Sequence, residues 1–140
     1  MKLRTDAAQK VSAGRFRIIH ELALYVGDSA SSLETAVKNA AVNGECYMEH
    51  APKNTKILPT KYDGYKAGSL MVPAYMVQAA LDSILREGFQ PESEPMKFLT
   101  VGLLLTRRSM ESICDIKERF PAHWSEQYVD EMLSIAQGLL

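Results

Sequence analysis

The side chains able to do chemistry are few. Cys46, Glu49 and His50 stand at i, i+3 and i+4, so one helical turn would bring a thiol, a carboxylate and an imidazole to one face. Zinc would need a further ligand from elsewhere, and a zinc site usually shows two close ligand pairs where this chain offers one. His20 and His123 have no paired spacing, and no metal is expected. Cys46 sits beside Glu45 and Glu49, whose charges disfavour a thiolate, and Cys114 falls in an apolar stripe where a thiol behaves as a small hydrophobe. No serine occupies a Gly-x-Ser-x-Gly elbow, and neither a Walker motif nor Gly-x-Gly-x-x-Gly occurs. The carboxylate pairs Asp130-Glu131 and Asp115 with Glu118 lack a histidine or metal motif to give them a mechanism. Arg119-Phe-Pro-Ala-His123 sets an arginine near a histidine, as some ribonuclease sites do, but the proline between them argues for a helix break. Catalysis is the less favoured reading, with no catalytic residue and no cofactor assigned.

Recognition chemistry has more to build on. The formal net charge is only −1, yet the charges are segregated. Between Met1 and His20 five basic residues (Lys2, Arg4, Lys10, Arg15, Arg17) face Asp6 alone, and Lys53 to Lys66 contains four lysines against Asp63. After Ser109 six acids face only Lys117 and Arg119. Such a chain can present a basic and an acidic face, although solvated helix surfaces are the simpler account. Tyr47, Tyr62, Tyr65 and Tyr75, with Lys61 and Lys66 among them, fit a protein-binding surface: tyrosines as rigid anchors, with Met48 and Met71 for compliance. The alternative is that these tyrosines fold back and close over the core. A nucleic-acid surface would draw instead on Lys10, Arg15, Arg17, Lys53 and Lys56, mixed with the same tyrosines. Against it, the segment after Asn43-Gly44 carries Glu45 and Glu49, which would repel phosphates from a recognition helix.

The elements that must position these residues are helices. Val11, Ile18, Leu22 and Val26 recur at helical spacing, with Gly14 a weak point that could split the segment in two. Ser31-Ser32-Leu33-Glu34 reads as a capping box opening a second helix that stops at Asn43-Gly44. From about 44 to 72 periodicity disappears; this long central loop holds Pro52, Pro59, Gly64 and Gly68. Pro73 opens a third helix ending at Gly88. Pro95 starts a long fourth helix expected to reach Arg119, capped by Ser93 and apolar on nearly all sides from Met96 to Leu105. A fifth runs from about Ser125 to Gln137.

At 140 residues, 46% hydrophobic and 24% charged, the chain has the balance of one folded domain, residues 1–140. Alternating strand patterns are absent, so the expected fold is all-α: an irregular bundle of about five helices with one long central loop. Two cysteines are too few for a disulfide framework, no secretory leader is apparent, and the longest apolar run, Phe98 to Leu105, is far short of the roughly 20 residues of a membrane span. The expected setting is cytoplasmic, without a membrane partner. The favoured function is a small helical interaction or regulatory module that binds a host or partner protein. Accessory proteins of bacteria, phages and plasmids share this size and lack of catalytic motifs. A homodimer is a further possibility, because Leu139 and Leu140 need cover. Nucleic-acid binding is the alternative.

Overall fold

Helix formation follows the apolar spacing, and each boundary has a local chemical cause. A computed structural model describes residues 1–42, 55–107 and 109–140. Among them are seven α-helices, one 3₁₀ helix and no strand: α1 Thr5–Ala13, α2 Arg15–Tyr25, α3 Ala30–Val42, α4 Pro59–Ala67, α5 Ala74–Arg86, α6 Glu94–Leu105, the 3₁₀ helix Ile113–Arg119, and α7 Glu126–Gly138. The all-helical class is as expected; the element count and the central loop are not. No helix of the described residues is long and apolar enough to cross a membrane.

One boundary falls at the weak point the sequence marks, and three differ from expectation, each for an identifiable reason. The first segment divides at Gly14, the weak point in its stripe, into α1 and α2. The start of α3 is capped not by Ser31 but by Ser29, whose hydroxyl accepts the Ser32 N–H at 3.2 Å. Glu34, freed from that role, accepts the Ile57 N–H at 2.5 Å and ties the incoming chain to α3. The loop expected from 44 to 72 contains α4, with Pro59 at its first position and Gly68 left-handed (φ 77°) at its end. Finally, the helix expected to reach Arg119 stops at Leu105. A second start lies ahead: the Ser112 hydroxyl and the Asp115 carboxylate form a capping box that opens the 3₁₀ helix. The Asp115 carboxylate accepts the backbone N–H groups of Ser112 and Glu111 at 2.8 and 2.9 Å, which hold its pKa below the usual carboxylate range. Cys114 is thereby exposed rather than part of an apolar stripe.

Packing centres on α5 and α6. α5 lies against α2 and α3, while α6 contacts α1 and α7. Both are buried along most of their length, α5 from Met76 to Leu85 and α6 from Leu99 to Leu105. The expected cap Ser93 is present, accepting from the Met96 N–H, and Ser125 caps α7 by accepting from the Tyr128 N–H. Phe120, Trp124 and Tyr128 stack in sequence with ring centroids 4.7 and 4.9 Å apart and cover the outer end of this half. Leu139 is buried and Leu140 partly exposed.

Two features set the spacing of the helices. Gly102 allows α1 to approach α6 closely, since a Cβ there would lie 2.5 Å from Val11 Cγ2. The other is a buried polar knot: Arg107, 2% exposed, pairs with Asp82 at 2.7 Å and donates from Nε to Gln78 Oε1 at 2.7 Å. Gln78 Nε2 in turn donates to Leu103 O at 2.7 Å. Gln78 and Asp82 are four residues apart, on one face of α5, so both meet the chain just beyond α6.

Two stability predictions follow from these contacts. Gly102→Ala should cost about 1–3 kcal/mol by overpacking, and Val11→Ala in the same chain should recover part of that loss, a coupling readable in a denaturation double-mutant cycle. Asp82→Ala should cost about 3–5 kcal/mol because it strands a buried guanidinium, whereas Asp82→Leu with Arg107→Met should be far less damaging. Additive losses in the second pair would show that the ion pair does not act as a unit.

Candidate functional site

A groove of about 470 Å³ opens at the bend between α1 and α2. Gly14 makes the bend. Its N–H closes α1 on Lys10 O at 3.0 Å, and its O accepts the Arg17 N–H at 2.9 Å in the first turn of α2. A Cβ at Gly14 would lie 3.3 Å from Lys10 O and 3.5 Å from Leu99 Cδ1, so the bend rests directly on α6. Phe16, Phe98, Leu99 and Ile135 make the groove's apolar lining, with Lys10 and Arg17 on the α1–α2 side and Glu94 on the α6 side. Lys10 Nζ stands 5.8 Å from the Phe98 ring centroid, within cation–π reach. The opposite wall is held by Lys97, which bridges Glu94 at 3.4 Å and Glu131 at 2.8 Å; its bonds to these carboxylates, Glu131 foremost, raise its pKa. The groove can take an apolar side chain on its floor and acidic groups at its basic edge.

The sequence-derived site residues do not gather in one place. Tyr47 and Lys53, like Cys46, Glu49 and His50, lie outside the described residues. Lys10 and Arg17 share the groove, but Arg15 between them turns inward and donates to Val72 O at 3.2 Å. Lys56 and Lys61 are exposed, on the approach to α4 and on α4. Lys66 pairs with Asp28 at 2.6 Å. Tyr75, half-buried at the start of α5, lines a separate cavity with Arg15.

Tyr62 and Tyr65 are corrected most sharply. They are 3% and 5% exposed, core residues rather than surface anchors. α4 is fastened to α2 and to the turn after it: the Tyr62 hydroxyl donates to Asp28 Oδ1 at 3.1 Å, and His20 Nε2 on α2 meets Lys66 O at 2.6 Å. Donation from Lys66 and Tyr62 holds the Asp28 carboxyl below its ordinary range. Burial, reinforced by Asp28, pushes Tyr62 up to about 12.

Arg119 and His123 do border one shallow cleft, of about 540 Å³, with Arg86 and Glu118. Among the described residues no group of three or more His, Cys, Asp or Glu side chains is placed to hold a metal ion. What sequence reading missed is the groove itself, together with the Gln78–Asp82–Arg107 knot. The signal for the knot was present, as two polar residues four apart inside an otherwise apolar stripe. No protein-family model matches the chain, and no curated protein or solved structure matches it.

The corrected role of Tyr62 has a measurable consequence. A phenol whose pKa is raised on folding contributes stability that is complete below pH 10 and is lost as pH climbs toward 12. Tyr62→Phe should cost about 1 kcal/mol near neutrality through the lost hydrogen bond, and should flatten the alkaline fall in stability followed by chemical denaturation. Tyr65→Ala should cost about 3–5 kcal/mol as a core truncation.

Proposed function

We propose that this chain is a protein-recognition module that captures an acidic, apolar segment of a partner protein in the groove at the α1–α2 bend. The observation that carries the reading is the combination of an apolar floor with Lys10 and Arg17 along one edge. Ligand grooves combine a hydrophobic lining with a few charged groups that fix orientation. Here the lining supplies affinity, and the two cations select carboxylates on the occupant. An amphipathic helix or extended segment with one large apolar side chain flanked by Asp or Glu fits this chemistry.

Nucleic acid is the competing reading, and the placement of the cations speaks against it. Of its four candidate cations among the described residues, Lys10 and Arg17 line one groove, while Arg15 is turned to a different cavity. A backbone-tracking surface needs a continuous row of cations.

The test is a pull-down from lysate of the source organism with wild type, Lys10→Glu/Arg17→Glu and Lys56→Glu, each with and without nuclease. A stoichiometric protein retained by wild type and Lys56→Glu, lost with the double variant and indifferent to nuclease supports the groove. Equal capture by the double variant overturns it, and partners lost on nuclease treatment transfer the role to nucleic acid.

A further inference from the structure

Arg15 differs from the other cations of the chain in what surrounds it. Arg17, two residues on, is exposed, whereas Arg15 is partly buried and its Nε is enclosed without a hydrogen-bond partner. Among the described residues its side chain makes one hydrogen bond, from Nη1 to Val72 O, and no ion pair. Desolvation lowers its pKa, yet a guanidinium stays charged at any physiological pH. An enclosed donor left unmet on a partly desolvated cation costs the fold free energy, and such unmet groups concentrate where a ligand belongs.

Arg15 lines a cavity of about 280 Å³ between α1, α2, α5 and α6 that is distinct from the groove. Its polar wall includes Ser12, Tyr75 and Thr106, its apolar wall Leu3, Val77 and Leu103, and none of the described residues that line it is acidic. Arg107 also reaches this wall, but its charge is matched by Asp82 at 2.7 Å. Arg15 therefore supplies the cavity's uncompensated positive charge. We propose that the cavity binds a small monocarboxylic acid, its carboxylate on the Arg15 guanidinium and its aliphatic part against Leu3, Val77 and Leu103. One uncompensated cation selects a single negative charge, and the apolar wall selects an alkyl chain over a sugar acid. The volume equals roughly nine waters at ~30 Å³ each, which suits an acid of roughly six to nine non-hydrogen atoms. This inference does not depend on the groove or on any protein partner.

Isothermal titration of the full chain with sodium hexanoate, and with hexanamide as its neutral counterpart of equal size, tests it. Hexanoate should bind and hexanamide should bind at least about tenfold more weakly, the lower end of what a hydrogen bond to a charged group contributes. Arg15→Met should weaken hexanoate by about ten- to a hundredfold and erase the preference over the amide. The ligand-free variant should melt no lower than wild type, since it removes a charge that the empty fold leaves unpaired. No binding of hexanoate at about 10 mM, equal binding of the amide, or equal affinity for acetate or inorganic phosphate would overturn the assignment. Should Arg15→Met fail to fold, Ser12→Leu narrows the cavity while leaving the arginine in place. Hexanoate affinity unchanged in Ser12→Leu would equally refute the site, and its loss would support it.

Discussion

The buried pair of Asp82 and Arg107 is the constraint around which the helices arrange themselves. A guanidinium this far from water must be matched almost completely, and the matching groups come from one face of α5. That requirement holds the chain leaving α6 against the middle of α5 and stops α6 from running on. Gln78 extends the arrangement by donating to Leu103 O, satisfying a carbonyl near the end of α6. An apolar contact could slide by a turn; a bidentate cation held by a carboxylate and an amide cannot without leaving charge unmet. The knot therefore fixes the register of α5 on α6, and the apolar side chains around it fill the space thus defined.

That fixed centre explains how the remaining elements divide. α2 and α3 pack on one side of α5, and α1 and α7 pack on α6. The close approach at Gly102 brings α1 inward, and the turn at Gly14 lets the chain pass from one half to the other. α4 joins later in the hierarchy. Its attachment is two tyrosines and a surface carboxylate rather than a stripe of aliphatics, so its stability rests on Asp28, Tyr62, Lys66 and His20. A short helix with an internal glycine has little stability of its own.

How much of this was legible in the sequence varied with the kind of interaction. Helices bearing a full apolar stripe, α5 and α7, were readable with their approximate starts, because apolar spacing and helix-opening residues are local properties. α4 was not, since Tyr62 and Tyr65 make too short a pattern and Gly64 dilutes it; only Pro59 and Gly68 marked its ends. The end of α6 was missed because apolar residues at Ile113 and Ile116 continue the helical spacing, while the break is dictated by Arg107 reaching a partner about 25 residues back. Of the binding residues, the basic character of Lys10 and Arg17 was legible, but not that Phe98 and Ile135 would stand beneath them. Nor could the opposite fates of Arg15 and Arg17 be read with confidence of direction from charge alone, since only a fold says which face is inside.

Those two arginines lie within three residues of Gly14, and the bend has a mechanical corollary. Lys10 and Ala13 border the groove from α1, with Phe16 and Arg17 facing them from α2. Val11 and Ser12 border the smaller cavity from the same α1, with Arg15 across from them. Treated as two rods joined at one residue, the helices cannot change their angle without altering both spaces together. Whatever favours a given angle from one side is felt on the other, and thermodynamic linkage makes that influence equal in both directions. A single glycine thus serves as the fulcrum of a balance whose two pans are the groove and the cavity.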